Sequence, residues 1–213
     1  MKDLFSFDER PRKREVYVLD TETTGLHGAP KDVVVDIGIC LVDLDEGSVT
    51  EAYSAVVGHD VDAWDDYRKN AWIFENTDMT LDMVRKGKPF PEVREEVLSV
   101  IGGGRVTSYN TGYDFGRFLF KEPWNLCGAF RECRDIMLAA AEVCKLKPFY
   151  YNDGYRWPRL DVAYRTILGD EDPAGIHGVQ DHRALSDARM ASHIMIAMHD
   201  AGLYPFARDQ RPR

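Results

Sequence analysis

The sequence predicts an α/β fold organised as one domain around a central sheet. Three observations carry that expectation. The first third of the chain reads as three consecutive strands joined by short turns, which pair most simply as antiparallel neighbours. Beyond them, short strand-like stretches alternate with amphipathic helical ones, the pattern of a sheet covered by helices. The 213 residues are 44% hydrophobic and 30% charged, enough apolar material for one sizeable core, and no repeat or linker divides them.

Residues 1–14 are expected to form an arm, with the basic cluster Arg10-Pro11-Arg12-Lys13-Arg14 just before the first strand. That strand is predicted over Glu15 to Thr21. After a turn at His27-Gly28-Ala29-Pro30, the run Val33 to Val42 is too β-branched to be anything but a strand. Asp45-Glu46-Gly47 turns the chain into its hairpin partner, Ser48 to Val57. Val61 to Asn76 reads as a polar and aromatic loop with a short helix, and Thr80 to Arg85 as a helical turn ended at Gly87. Pro91 opens the next helix, whose Val93, Val97, Val100 and Ile101 make an apolar stripe. Three glycines, 102 to 104, stop it. A short strand, Arg105 to Tyr109, leads into a helix that Asn110 can cap and that carries Asp114, Phe115, Phe118 and Leu119. Phe130 to Arg134 is read as a last strand, and Asp135 is placed to cap Ile136 to Cys144. An aromatic loop, Phe149 to Trp157, precedes a helix over Leu160 to Leu168 closed by Gly169. The final helix is predicted from about Arg183 to Ala201, giving a domain over 15–203 and a tail over 204–213.

Charge and cysteines narrow the classes. The net charge is -9, whereas a protein that grips long duplex nucleic acid by phosphate neutralisation is usually basic. Contact with nucleic acid would therefore be confined, with bound metal ions reversing the local field. Cys40, Cys127, Cys133 and Cys144 form no C-x-x-C pair and have no histidine at zinc-finger spacing, so they read as reduced core thiols. With no apolar run of membrane-spanning length and no apolar leader segment at the start, the expected location is cytoplasmic, away from any membrane.

The chemistry begins at Val16 to Leu26, VYVLDTETTGL, where a buried strand suddenly carries acid. Side chains two apart on a strand share a face, so Asp20 and Glu22 point at one spot. Two carboxylates held together and stripped of water need a positive partner, and a divalent cation is the usual one. A second stretch, QDHRALSDA at 180–188, places His182 five residues before Asp187. On one helix these would lie roughly 140° apart at 3.6 residues per turn. They converge only if His182 lies in the loop before the helix, where it suits a general base near neutral pH.

Three motifs then stand in order: D-x-E ending the first strand, N-x-x-x-D after a central strand, and H-x-x-x-x-D entering the last helix. Together they resemble the DEDDh 3′–5′ exonucleases, which include bacterial polymerase proofreading subunits, ribonuclease T and oligoribonuclease. DTETTGL at Asp20 to Leu26 is nearly verbatim the family's first motif. YNTGYD at Tyr109 to Asp114 matches its second, usually HNAxFD, with Tyr109 in place of the common histidine. HRALSDA at His182 to Ala188 matches the third. The likeness extends over about Val16 to Met198. Phe74-Glu75-Asn76-Thr77 stands where the family often has H-G-I-T, and the aromatic loop Phe149 to Trp157 matches no particular subfamily. Both departures bear on substrate rather than on the acids.

The resemblance implies a ribonuclease H-like fold: a central mixed five-stranded sheet, three antiparallel strands then two parallel, flanked by helices. It implies two divalent cations, Mg²⁺ or Mn²⁺. Asp20, Glu22 and Asp187 would hold one, Asp20 would bridge to the second, and Asp114 would help through water. Zinc is not expected of oxygen ligands alone. His182 would be the base, and Thr23, Leu26, Asn110, Tyr113 and Phe115 would meet the substrate. The implied substrate is the 3′ end of single-stranded DNA or RNA, DNA favoured, released as 5′-mononucleotides. Three alternatives stay open. They are an RNA-directed exoribonuclease or oligoribonuclease, a catalytically idle polymerase-associated subunit, and a partner that is a DNA polymerase or a second copy of the chain.

Overall fold

The computed structural model describes residues 14–148, 154–175 and 180–204. Most of the expected arm and tail, and Phe149 to Asp153 of the aromatic loop, lie outside them. The three opening strands are β1 (Glu15–Thr23), β2 (Val34–Asp43) and β3 (Ser48–Gly58). They pair antiparallel in sequence order, with β2 in the middle. Short helices α1 (Asp66–Lys69), α2 (Trp72–Asn76) and α3 (Leu81–Arg85) follow. Next come β4 (Lys88–Pro89), α4 (Phe90–Ile101) and β5 (Arg105–Ser108). The turn α5 (Thr111–Tyr113) runs into a π-helical stretch, Asp114–Leu119. The chain continues through β6 (Arg131–Glu132), α6 (Ile136–Cys144), α7 (Leu160–Leu168) and α8 (Ala184–Asp200).

The sheet order is β4-β3-β2-β1-β5-β6, with β5 parallel to β1 and β6 parallel to β5. The sheet therefore has six strands, not five. The additional strand is the two-residue β4, which pairs parallel with the end of β3 at Val57 and Gly58. Two residues ending in proline are too short to show alternation in a sequence.

β1 lies inside the sheet, paired on both edges, and helices cover both its faces. Val16 and Val18 join α6, α7 and α8 in one apolar cluster, while Leu19 joins α4 and Phe118 in another. α8 crosses the sheet closely at its first turn. A Cβ on Gly38 of β2 would lie 2.2 Å from the Leu185 amide nitrogen, so only glycine lets the helix start this near the strand. Tyr204, left by the sequence to the tail, is buried and donates its hydroxyl to the Arg134 carbonyl. All four cysteines are free thiols; Cys40 and Cys133 are buried as expected, but Cys127 is exposed and is no core residue.

Candidate active site

The site forms where the sheet reverses direction of growth, at the carboxyl ends of β1 and β5. β1 pairs with β2 on one side, down to Glu22 opposite Asp36, and with β5 on the other. Its last turn of alternation sends Asp20 and Glu22 into one open pocket of about 200 Å³. Because β5 is parallel, it delivers the chain that follows it to the same edge. There Asn110 caps the turn, its Oδ1 accepting from the Tyr113 amide at 3.2 Å. Asp114 thereby faces β1, and its Oδ1 accepts from the Thr21 hydroxyl at 2.7 Å and the Thr21 amide at 3.2 Å.

The third side comes from α8. Asp187 lies in its first turn, and His182 lies before it in a loop, at a left-handed φ of 53°. That conformation is uncommon for a residue with a Cβ and recurs at functional sites. Both side chains reach the pocket. Glu22, His182 and Asp187 each offer a ligand atom within 4.8 Å of the others. Gln180 donates to Asp187 Oδ2, while Asp187 Oδ1 is buried with no hydrogen-bond partner among the described residues.

Burial and crowding push each of these groups toward its neutral form. Desolvation, then the charges of Asp114, Asp187 and Glu22, raises Asp20 far above the usual carboxylate range. Glu22 is raised by burial and by Asp187. Asp187 is pushed to about 7 by burial, against the Gln180 hydrogen bond, and Asp114 to about 6, against the Thr21 hydroxyl. Desolvation and the Arg159 charge lower His182, favouring neutral imidazole. Four acids that resist ionising together, one with an orphaned buried oxygen, form a donor set suited to a hard divalent cation.

The five residues expected to do chemistry, Asp20, Glu22, Asp114, His182 and Asp187, therefore share one pocket. Of the expected substrate contacts, Asn110 and Tyr113 line it as well. Thr23 shares a 2.6 Å hydrogen bond with the Tyr113 hydroxyl, and Leu26 stands 71% exposed on the neighbouring loop. Phe115 is a correction. It is 0% exposed and packs against Phe120 and Phe130, so it cannot stack on a base. One residue along a helix is a rotation of roughly 100°, which turns Phe115 into the core when Asp114 faces the pocket.

Sequence reasoning missed Gln180 and Leu160, which also line the pocket. Leu160 opens α7. The Tyr109 hydroxyl, where the motif usually has histidine, donates to the Pro158 carbonyl at 2.9 Å and fixes the approach to α7. Gln180 had one signal, its position two residues before His182.

A mixed sheet of this order, with acids from β1, the turn after β5 and α8, is a ribonuclease H-like exonuclease architecture. The chain belongs to the exonuclease family, DEDDh and DnaQ-like, whose model, described as "Exonuclease", matches residues 17–195. It is 30% identical over 184 residues to the 3′-5′ exonuclease DinG of Bacillus subtilis (strain 168). That match covers 86% of this chain and 17% of the relative, so the chain spans about a sixth of the relative's length. A 3′-exonuclease recognising a histone mRNA stem-loop superposes with a TM-score of 0.64 at 14% identity, over 95% of this chain and 94% of that one. E. coli Exonuclease I in complex with a dA16 oligonucleotide gives 0.57 at 14% identity, over 87% and 41%.

Proposed function

We propose that the chain is a metal-dependent 3′–5′ exonuclease that hydrolyses the terminal phosphodiester of single-stranded nucleic acid, DNA favoured, releasing 5′-mononucleotides. The observation that carries this reading is the convergence of Asp20, Glu22, Asp114, Asp187 and His182, from three separate stretches of chain, on one pocket. A binding scaffold has no physical need for four crowded acids.

Asp20, Glu22 and Asp187 would hold Mg²⁺ or Mn²⁺, with Asp114 assisting. When bound, such cations supply Lewis-acid neutralisation of the charge that develops at phosphorus. The residues of the chain do the rest. Thr21 fixes the Asp114 carboxylate, and Gln180 fixes that of Asp187, each by a hydrogen bond to one oxygen. His182, kept neutral by burial and by Arg159, takes the proton of the attacking water as general base. Tyr113, tied to Thr23 and to the Gly25 carbonyl at 3.0 Å, braces the turn that meets the terminal nucleotide, and Leu26 wedges under its base.

The test is a matched pair of DNA and RNA oligomers labelled at the 5′ end, digested with Mn²⁺ or with EDTA. A ladder shortening from the 3′ end, absent in EDTA and faster on DNA, is expected. Cutting of a circular single strand, or undiminished activity in EDTA, removes the reading. A faster RNA ladder moves the substrate to RNA and leaves the mechanism in place.

A further inference from the structure

We propose that Trp72 is a substrate-contacting residue, a stacking platform for an unpaired base in the last two nucleotides of the strand. The inference rests on the nuclease reading above and names a contact that reading lacks. Trp72 opens α2 and is 56% exposed, whereas Trp64 and Trp124 are buried. α2 is anchored by its neighbour Ile73, which is fully inside the local apolar cluster, so the indole is not needed to dock the helix. It instead meets His182, with ring centroids 5.1 Å apart and planes at 87°.

The segment bearing Trp72 is braced rather than loose. In the preceding helix, the Tyr67 hydroxyl donates to Asp32 at 3.0 Å. Arg68 donates from Nε to the Lys31 carbonyl and from Nη2 to the Pro30 carbonyl, both at 2.9 Å. The loop so held is the one that carries Leu26. Two exposed apolar side chains thus belong to one rigid rim beside an acidic pocket. A base freed from its neighbours loses stacking. An exposed indole restores that stacking for any base, because every base has a π-face.

Steady-state kinetics on a single-stranded DNA oligomer would test this with the parent, Trp72→Ala and Trp72→Phe. The same oligomer lacking its two 3′-terminal bases is the second substrate. Trp72→Ala should raise KM roughly ten- to hundredfold, the usual worth of one base–aromatic stack, with kcat changed far less. Trp72→Phe should recover most of the loss. On the base-free substrate the parent and Trp72→Ala should no longer differ. An unchanged KM, or a fall in kcat alone, would mean that Trp72 at most supports His182, and overturns the proposal while the nuclease reading stands. A parent that degrades neither substrate overturns the nuclease reading and this contact with it.

Discussion

Asp36 grips Arg183: the guanidinium Nε donates to Asp36 Oδ2 at 2.8 Å, Nη2 donates to Oδ1 at 3.4 Å, and the Ala184 amide reaches Oδ2 at 3.3 Å. Asp36 lies on β2 directly opposite Glu22, and Arg183 directly follows His182. One buried carboxylate therefore ties the strand that presents Glu22 to the loop and helix that present His182 and Asp187. Breaking a buried pair by removing one partner costs about 3–5 kcal/mol, and less here because Arg183 is a third exposed. Arg183→Met should lower the melting temperature and cut turnover at least about tenfold, since His182 then loses its hold on a left-handed backbone. Thermal melts beside single-turnover rates check it, and a variant with parent turnover would show that the pair serves stability alone.

Gly38 gives a second test of the same junction. Its missing Cβ leaves room for the Ala184 carbonyl carbon and the Leu185 nitrogen, at 2.4 and 2.2 Å from where that atom would be. These are backbone atoms and cannot rotate aside. Gly38→Ala should push α8 off the sheet, destabilise by about 1–3 kcal/mol or more as overpacking does, and displace Asp187. Urea unfolding should show the loss, and parent stability would mean the helix start is free to shift.

Such relationships explain which parts of the site a sequence reveals. Asp20 and Glu22 are legible because a strand's alternation is local, and Asn110 and Asp135 because caps act within three residues. His182 is legible as a loop residue because helical spacing denies it the Asp187 face. The Asp36–Arg183 pair spans 147 positions and has no local signature. Phe115 was misassigned because adjacency to Asp114 says nothing about which side of a turn faces the core. β4 escaped because it exists only by pairing with the end of β3.

Metal removal should invert the usual pH dependence of stability. Asp187 at about 7 and Asp114 at about 6 in the folded chain compare with 3.8 for an ordinary aspartate. Below pH 4 both states hold these protons, so the groups contribute nothing to the difference. Between pH 4 and 7 the folded state keeps protons that the unfolded chain releases, so raising the pH favours unfolding. In EDTA these acids should therefore lower stability progressively from about pH 4 to pH 7, and the loss should stay level above that. Mg²⁺ or Mn²⁺ should restore at least about 4 °C at pH 8, roughly 1–2 kcal/mol for a domain this size, and much less at pH 5. Melting curves at both pH values test it. Equal metal stabilisation at the two would show that the acids are already ionised without metal.

His182 and Asp187 should separate in function, although both reach one pocket. Asp187 combines an oriented oxygen with an orphaned buried one, the profile of a cation ligand. His182 lies in a loop beside the indole of Trp72, and a proton acceptor has no need to bind metal. His182→Ala should keep the fold and nearly all Mn²⁺ affinity while lowering turnover by ~10²–10⁴, the worth of a positioned base. Asp187→Asn should weaken Mn²⁺ binding instead. A base accepts a proton only when neutral, so the parent's rate should rise with pH through the His182 pKa. Burial and Arg159 lower that value from 6.5, so the rise belongs below pH 6.5, and His182→Ala should lack it. Calorimetry of Mn²⁺ binding with single-turnover pH profiles separates the roles. If His182→Ala loses metal as badly as Asp187→Asn, or keeps the parent's rate and profile, the proton goes elsewhere.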